Sequence, residues 1–340
     1  MSKPSALVIA PGRGTYNKEE LGYLARYHSD KSVLIEKIDQ YRQDNDQISV
    51  SNLDGADKFS LAKHSRGDNA SPLIFACAYA DYLSIAKEKY DICAITGNSM
   101  GWYIALAAAK ACAPLDALHI LNTTGTMMQN NLIGGQLIYS LVDENWQKID
   151  GRREFLTSLI DQISGLHISI ELGGMLVFGG TDEALSTLES KLEPEGRFPM
   201  RLKNHAAFHT PLQKPMSEQA KASLSIELFG TPQIPLIDGR GHVFMPFSSS
   251  VNDLYEYTLG HQIFEPYNFT KAIQIGLKEF APDKIILLGP GSTLGGAVAQ
   301  ALIDVNWHGW QSKDDFINAQ KSDPYLISIG IDEQRALINA

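Results

Sequence analysis

Residues 92–110 read ICAITGNSMGWYIALAAAK, and this stretch decides the fold. The short apolar run Ile92–Ile95 is typical of a buried strand. From Met100 to Lys110, alanine and leucine recur at a spacing that fits a helix. The chain therefore passes from strand to helix through Gly97-Asn98-Ser99-Met100-Gly101, which is the context that a nucleophile elbow requires.

The alternation of strands and helices continues on both sides of this stretch. Upstream, Leu7–Ala10 predicts a buried strand, and a helical pattern covers Ser71–Lys89 after an N-cap-like start at Asn69. Downstream, Lys284–Leu288 predicts the last strand of the sheet, because the tail from Asn306 is polar and weakly periodic. Strands that alternate with helices indicate a largely parallel sheet. We therefore predict the α/β class, with a hydrolase-like large domain.

The segment between Gly134 and Lys203 has a different pattern. Its predicted elements are strand, helix, strand, strand, helix and strand, at Gln136–Val142, Asp143–Gly165, Ile168–Glu171, Met175–Phe178, Asp182–Leu192 and Phe198–Leu202. The order βαββαβ is that of the split ferredoxin-like unit. The sequence therefore predicts a small subdomain at residues 133–203, inserted into a large α/β domain formed by residues 1–132 and 204–340.

Charge and composition argue against several classes of protein. A formal net charge of -10 disfavours nucleic-acid binding, because affinity for a polyanion needs clustered cations. No apolar run approaches the roughly 20 residues of a membrane-spanning helix, and the N-terminus lacks the apolar region of a signal peptide. We therefore expect a cytoplasmic protein with neither a nucleic-acid nor a membrane partner. The three cysteines lack the paired spacing of a metal site, so we expect free buried thiols and no cysteine-bound metal.

Ser99 is the candidate nucleophile of the turn. A serine held there projects its hydroxyl away from the sheet, and the flanking glycines let strand and helix approach closely. The backbone N–H of Met100 and the helix N-terminus then face any oxyanion formed beside Ser99. A serine hydroxyl also needs a base, and His205 and His209 are the histidines that stand out. The residues alone leave both histidines open, and an ordinary tight turn between strand and helix is the alternative to an elbow.

Five short segments of the chain together carry a family resemblance. They read PGRG at 11–14, GNSMGWY at 97–103, AFHTPL at 207–212, HQIFEP at 261–266 and GPGSTLG at 289–295. In order and spacing they resemble the Pro-Gly-Gln-Gly, Gly-His-Ser-Leu-Gly-Glu-Tyr, Ala-Phe-His-Ser-Pro, Arg-Gln-Leu-Tyr-Asn-Pro and Gly-Pro-Gly-x-x-Leu-x-Gly segments of one family. That family comprises the malonyl-CoA:acyl-carrier-protein transacylases and the acyltransferase domains of polyketide synthases.

The resemblance implies roles for particular residues. It makes Ser99 the nucleophile and His209 its base, with the backbone carbonyl of Gln262 orienting the histidine. The backbone N–H groups of Met100 and Arg13 are the implied donors to the oxyanion. The implied reaction moves an acyl group from acyl-CoA to the phosphopantetheine arm of an acyl carrier protein, through an acyl-serine and without a cofactor.

The implied substrate pocket departs from the family. Thr124 stands where dicarboxylate-specific members have an arginine, and residues 111–147 contain no lysine or arginine. Because a buried carboxylate without a charged partner is costly, the sequence predicts an acyl group other than malonyl. Arg13 offers a relocated cation, against the alternative of an exposed loop arginine. The residues expected at the pocket and its entrance are Ser71, Asn98, Trp102, Thr124, His205 and Phe208.

Two alternative functions use the same segments. Attack by water would make the site an acyl-thioester hydrolase, and a catalytically idle homologue would only dock carrier proteins. Loss of the carboxylate-binding arginine is compatible with the hydrolase, whereas the intact Ser99, His209 and Gln262 argue against the idle homologue. The candidate carrier-protein contacts are Arg152, Arg153, Arg201, Lys203 and Lys214, against the alternative that these charges are only solvated.

Overall fold

The computed structural model describes residues 3–339. Its strands are β1 (Ser5–Ala10), β2 (Asp91–Gly97), β3 (Gly135–Ser140), β4 (Leu166–Leu172), β5 (Met175–Gly180), β6 (Met200–Leu202), β7 (Leu236–Ile237), β8 (Val243–Phe244), β9 (Tyr267–Asn268), β10 (Lys284–Leu287) and β11 (Leu326–Ser328). Its α-helices are α1 (Tyr23–Tyr27), α2 (Ser32–Asp44), α3 (Val50–Asp54), α4 (Leu61–His64), α5 (Gly67–Ser84), α6 (Gly101–Ala108), α7 (Pro114–Asn130), α8 (Arg152–Gln162), α9 (Asp182–Lys191), α10 (Lys214–Ser223), α11 (Val251–Glu256), α12 (Gln262–Phe264), α13 (Phe269–Phe280), α14 (Gly295–Asp304), α15 (Lys313–Ala319) and α16 (Asp332–Ile338). A π-helical turn, Tyr257–His261, joins α11 to α12. Across these residues, no helix combines the length and the apolar character that crossing a membrane requires.

A six-stranded sheet forms the centre of the large domain. Its order is β11-β10-β1-β2-β7-β8, and all neighbours are parallel except β7 and β8. Both faces of β1 are covered: Val8 packs into one apolar cluster, and Leu7 and Ile9 pack into the other. This arrangement confirms the predicted α/β class with a mainly parallel sheet. In such sheets, ligands bind outside the carboxyl ends of the strands, which is where β2 leads into the turn at Ser99.

The small subdomain has a sheet of its own. Strands β3 to β6 pair in the order β6-β3-β5-β4, and each neighbouring pair is antiparallel. Helices α8 and α9 pack on this sheet through Leu156, Leu159, Leu185 and Leu188, which confirms the predicted ferredoxin-like unit. Strand β9, from later in the chain, pairs in parallel with β4. The division at residues 133 and 203 stays a prediction, because the small sheet includes a strand from the large domain.

Helix α5 begins earlier than the sequence predicts. The expected start after Asn69 puts Pro72 in the first turn, whereas the helix begins at Gly67 and contains Pro72 in its interior. Proline has no N–H, so the carbonyl four residues earlier loses its helical partner. Nη1 of the buried Arg42 donates to that carbonyl, at Asp68, over 2.7 Å. An arginine from another helix therefore allows the proline inside α5.

The helix expected over residues 143–165 is shorter in the structure. It begins only at Arg152, in α8. Oδ1 of Asp143 accepts from the backbone N–H groups of Asn145 and Gln147 at 2.9 and 2.8 Å. Aspartate commonly forms such a turn with the backbone two residues on, and this turn competes with a helix.

The tail after Asn306 completes the large sheet, contrary to the prediction. Leu326–Ser328 is buried and pairs in parallel with β10, so the sheet does not end at Leu288. Helices α15 and α16 lie on either side of this strand in the chain. Three residues are too few for hydrophobic periodicity to reveal a strand.

Candidate active site

Ser99 lies in the turn between β2 and α6, with its backbone in the left-handed region at φ 54°. Residues other than glycine enter this region at a cost of about 1–3 kcal/mol, and they cluster at functional sites. The flanking positions must be glycine because there is no room for a Cβ atom at either of them. A Cβ on Gly97 would lie 2.3 Å from the carbonyl of Gly101, and a Cβ on Gly101 would lie 2.5 Å from the backbone oxygen of Ala10. The turn therefore holds Ser99 in the geometry of a nucleophile elbow.

His209 is hydrogen-bonded to Ser99. Ser99 Oγ lies 2.7 Å from His209 Nε2, and His209 Nδ1 lies 2.7 Å from the backbone oxygen of Gln262. Because a carbonyl oxygen can only accept, Nδ1 carries the proton, and Nε2 accepts from the serine hydroxyl. Burial lowers the pKa of His209 to about 4, although the Gln262 carbonyl opposes that shift. The imidazole is therefore neutral at pH 7, the state that a general base needs.

The side chain of Gln262 makes contacts that the sequence did not predict. Its Nε2 donates to the backbone oxygen of Ser99 at 2.8 Å, and its Oε1 accepts from the Tyr257 hydroxyl at 2.9 Å. The hydroxyl of Tyr267 donates to the backbone oxygen of Gly97 on the other side of the turn. Side chains from residues 257–267 therefore fix the backbone on both sides of the elbow.

A cavity of about 50 Å³ opens beside Ser99 and His209. Among the residues predicted for the site, those that line it are Arg13, Ser71, Met100, Thr124, Phe208 and Gln262. Holding one water takes about 10–15 Å³ on this measure, so the cavity suits an acyl group of a few heavy atoms. The structure thus brings most of the predicted site residues to one cavity.

Other residues of the cavity wall were missed by sequence reasoning. They are Tyr103, Leu121, Gly125, Met128 and Ile263. Helical spacing was the available signal, because residues three or four apart share a helix face. Tyr103 follows Met100 by three positions, and Leu121 and Met128 lie three before and four after Thr124. Ile263 directly follows Gln262.

Thr124 lines the cavity, and its hydroxyl is hydrogen-bonded within its own helix. Its Oγ1 donates to the backbone oxygen of Ile120 at 2.9 Å, within its own helix α7. The neighbouring Tyr103 is buried, which raises the pKa of its phenol to about 12, while the Thr124 hydroxyl acts in the opposite direction. Tyr103 is therefore protonated at pH 7. These two residues offer hydroxyl groups and no positive charge at this end of the cavity.

Arg13 lines the cavity and is fixed by hydrogen bonds. Its Nη2 donates to the backbone oxygens of Ser65 and Asn204 at 3.0 and 2.9 Å. Its guanidinium carbon lies 5.4 Å from the centroid of the Phe208 ring, within cation–π range. Burial lowers its pKa to about 10, partly offset by Asp68, so it stays charged at pH 7. Arg13 therefore links the loop after α4 to the segment after β6. It is not the exposed loop arginine that the sequence left as an alternative.

No protein-family model matches the chain. The malonyl CoA-acyl carrier protein transacylase of Bacillus subtilis is 24% identical over 242 residues, which are 68% of this chain and 71% of that protein. The phenolphthiocerol synthesis polyketide synthase type I Pks15/1 of Mycobacterium marinum is 23% identical over 299 residues. That match covers 87% of this chain but only 13% of the synthase. The chain therefore spans a small part of the polyketide synthases that it matches.

Solved structures of transacylases are also similar to this chain. The malonyl-CoA:ACP transacylase of Synechocystis sp. PCC 6803 superposes with a TM-score of 0.75 and 15% identity, over 98% of this chain and 99% of that one. This chain has the transacylase fold. Together with the sequence similarity, the shared fold confirms the predicted resemblance to the transacylases and polyketide acyltransferase domains.

Three residues predicted for the transacylase-like pocket lie outside the cavity. Asn98 packs against Gly12, where an added Cβ would meet the Asn98 backbone oxygen at 2.8 Å. Trp102 is fully buried below the elbow, and its Nε1 donates to Thr258 Oγ1 at 3.0 Å. His205 Nδ1 lies 2.7 Å from Gln136 Oε1, and burial lowers the pKa of this histidine. Of the two candidate bases, only His209 reaches Ser99.

The candidate carrier-protein contacts divide into paired and unpaired cations. Each of the three arginines has a carboxylate partner: Arg152 pairs with Glu195, Arg153 with Glu171 and Arg201 with Glu189. Lys203 and Lys214 are exposed, and no carboxylate of residues 3–339 lies within 4.0 Å of either amino group. An acidic partner would therefore meet unpaired charge at these two lysines.

Proposed function

We propose that the protein transfers an acyl group from CoA to the thiol of an acyl carrier protein, through an ester on Ser99. The observation that supports this most directly is the 2.7 Å contact between Ser99 Oγ and His209 Nε2, beside a cavity of acyl size. The relatives named for acyl transfer to a carrier protein support the same reaction. A cytoplasmic location stays a prediction.

The first half of the reaction acylates Ser99. His209 Nε2 takes the hydroxyl proton as Ser99 Oγ attacks the thioester carbonyl carbon of the acyl-CoA. When the tetrahedral intermediate collapses, its carbon–sulfur bond breaks and an acyl ester remains on Ser99. The proton on Nε2 passes to the departing thiolate, so CoA leaves as the free thiol.

The second half reverses these roles on a new thiol. The phosphopantetheine thiol of the carrier gives its proton to His209 Nε2 and attacks the ester carbonyl. The ester bond to Ser99 Oγ then breaks, and Nε2 returns the proton to the serine. Because His209 stays neutral at pH 7, it can act as base and then as acid in each half.

Two backbone N–H groups are the proposed donors to the oxyanion in both halves. Met100 follows the nucleophile and directly precedes the first residue of α6. At this position its backbone N–H makes no hydrogen bond within the helix. Arg13 lies in the turn that follows β1, and the preceding residue of that turn, Gly12, packs against Asn98 beside the nucleophile. In this class of site, removal of one oxyanion donor costs about 2.7–4 kcal/mol in the transition state.

The proposed acyl group is short and uncharged, acetyl or a little longer. Leu121, Met128 and Ile263 give the cavity apolar walls. A malonyl carboxylate would lose its hydration there, and the Thr124 hydroxyl already donates to its own helix. Such a desolvated carboxylate needs a bidentate arginine to offset the loss. Arg13 lines this cavity, but its Nη2 already donates to the backbone oxygens of Ser65 and Asn204.

Intact-protein mass spectrometry after incubation with a panel of acyl-CoAs tests the proposal. We expect a mass increase of one acyl group in the wild type and none in Ser99→Ala. Addition of a holo carrier protein should discharge the ester much faster than buffer does. An ester that hydrolyses equally fast without the carrier would identify an acyl-thioester hydrolase, and acylation of the Ser99→Ala variant would overturn the nucleophile.

A further inference from the structure

We propose that Tyr257 is a positioning residue for the Ser99–His209 pair and acts through the side chain of Gln262. This inference rests on the proposed nucleophile but not on the identity of the acyl donor or acceptor. Gln262 contacts both members of the pair: its backbone oxygen lies 2.7 Å from His209 Nδ1, and its Nε2 lies 2.8 Å from the Ser99 backbone oxygen. One residue therefore fixes the base and the nucleophile, and Tyr257 fixes that residue.

The direction of each hydrogen bond is determined by its chemistry. The backbone N–H of Gly239 donates to Tyr257 Oη at 2.8 Å, so the phenol must donate its own proton elsewhere. That proton goes to Gln262 Oε1 at 2.9 Å. Burial raises the pKa of Tyr257, so the phenol keeps this proton. With its oxygen engaged by Tyr257, the Gln262 amide must present nitrogen to Ser99, whose carbonyl can only accept.

Tyr257 is itself held from several sides. The guanidinium carbon of Arg240 lies 4.5 Å from its ring centroid, and Arg240 is fixed by two bonds of 2.8 and 2.6 Å to the buried Asp238. The indole of Trp102, from the helix that follows Ser99, meets the same ring edge-on at 4.9 Å. The phenol is therefore rigid enough to orient an amide.

The π-helical turn accounts for the pairing of Tyr257 with Gln262. In an α-helix, residues five apart point about 140° from each other. In a π-helix the hydrogen bonds run from i to i+5, and side chains at that spacing come to nearly the same side. The turn Tyr257–His261 covers the five positions before Gln262. Local departures of this kind are frequent at functional sites.

The consequence concerns the backbone of Ser99, which is in the left-handed region. The Gln262 amide bonds the Ser99 carbonyl directly, so it opposes relaxation of the turn. Without the Tyr257 hydroxyl, the amide can rotate away, and both the serine and the Gln262 carbonyl become less well placed. A displacement of about 1 Å in such a pair can reduce the rate about 100-fold.

Reaction of Ser99 with an alkyl fluorophosphonate measures this positioning without any acyl substrate. Ser99 Oγ forms a bond to phosphorus, fluoride leaves, and His209 accepts the hydroxyl proton. We expect Tyr257→Phe to lower the second-order labelling rate about tenfold or more. Tyr255→Phe is the matched control, because its half-buried hydroxyl donates only to the backbone oxygens of Lys221 and Leu224. That variant should label like the wild type.

A second variant separates positioning from folding. Gln262→Met keeps the backbone carbonyl that His209 needs but removes the amide, so it should slow labelling as much as Tyr257→Phe. The double variant should be no slower than the slower single variant, since both remove one chain of contacts. In the acyl-transfer assay, kcat should fall while KM for the acyl-CoA changes less than about twofold.

The outcomes distinguish this inference from the proposed function. Labelling of Tyr257→Phe within about twofold of the wild type, or additive losses in the double variant, would overturn the role of Tyr257. An equal loss in Tyr255→Phe would attribute the effect to general loosening and overturn it too. If the wild type labels at Ser99 but transfers no acyl group, the proposed function fails and the inference stands. If the wild type does not label at Ser99, both fail.

Discussion

Ser99 Oγ and His209 Nε2 approach to 2.7 Å although 110 residues separate them in the chain. The whole ferredoxin-like unit lies between them in sequence, so the contact forms only when both segments of the large domain fold together. Because neither side chain can perform the proposed chemistry alone, loss of either one should remove most of the activity.

Ser99→Ala and His209→Ala should each lower the rate of acyl-enzyme formation by about 10⁴-fold or more, as in other serine–histidine pairs that act as a unit. His205→Ala should cost less than about tenfold, because His205 contacts Gln136 rather than the serine. The measurement is the time course of acylation by intact-protein mass spectrometry, with circular dichroism as the control for folding. Equal losses for the two histidines would contradict the assignment of His209 alone.

The pH dependence of acylation follows from the low pKa of His209, which burial brings from 6.5 to about 4. The folded state binds fewer protons at this residue than the unfolded state, so the associated stability is present above pH 6.5 and is lost as the pH falls through about 4. We expect the acylation rate to be level between about pH 5.5 and 8 and to fall at lower pH as the imidazole becomes protonated. A midpoint near 6.5, with the fold intact, is the result that would count against this prediction.

Thr124→Arg should shift substrate preference toward malonyl-CoA. The guanidinium would supply the bidentate partner that a buried carboxylate needs, and we expect the ratio of kcat/KM for malonyl-CoA over acetyl-CoA to rise roughly tenfold or more. Thr123→Arg is the control, because the neighbouring side chain does not line the cavity. If the wild type already prefers malonyl-CoA, then Arg13 must bind the carboxylate, and Arg13→Ala should abolish that preference.

Arg42→Met should destabilise the fold without touching the active site. The buried guanidinium donates to the backbone oxygens of Asp68 and Ile48 and to Asn122 Oδ1, and methionine leaves all three without that donor. We expect the free energy of unfolding in urea to fall by about 3 kcal/mol or more. Adding Pro72→Ala should recover part of the loss, because an alanine N–H can bond the Asp68 carbonyl within α5.

The matched control for that experiment is Lys37→Met, which changes an exposed residue of the same helix α2. It should alter the free energy of unfolding by less than about 0.5 kcal/mol. If Arg42→Met has no larger effect than this control, the account of the interior proline is wrong.

Lys203→Glu should weaken use of a carrier protein more than use of acyl-CoA. Lys203 is exposed and directly precedes Asn204, whose backbone oxygen accepts from Arg13, a residue that lines the cavity. Reversal of one rim charge should raise KM for an acidic carrier several-fold, by about 1 kcal/mol, and the effect should shrink at high salt. Acylation by acyl-CoA in the absence of carrier serves as the internal control. An unchanged KM would assign the carrier contact to another surface.

The elbow could be predicted from the residues alone, because a glycine–serine–glycine turn between strand and helix has few geometric solutions. The pairing of Ser99 with a histidine from a distant segment was implied only by the family resemblance. The choice between His205 and His209 required the family resemblance, since both lie in one short segment and only the fold decides which ring reaches Ser99. The wall of the cavity was partly missed because Leu121 and Met128 look like ordinary core residues of an apolar helix.

Other differences between the sequence prediction and the structure arose where a tertiary contact outweighs the local sequence pattern. Pro72 predicts a helix start unless a donor such as Arg42 replaces its missing N–H, and that donor is 30 positions away in the sequence. Trp102 was expected at the substrate because of its place in the motif, but the indole points below the elbow to Thr258. The contacts of Tyr257 and the Gln262 side chain depend on a π-helical turn, which has no clear signal in a single sequence.

The parallel pairing of β9 with β4 limits how this scaffold can be recombined with its relatives. A chimaera cut at residues 133 and 203 would import a new small sheet but leave Tyr267–Asn268 facing a foreign edge strand. Tyr267 also bonds the backbone of Gly97, and its ring lies 5.3 Å from that of His209. Exchange of the small unit is therefore expected to disturb the nucleophile turn unless residues 267–268 travel with the graft.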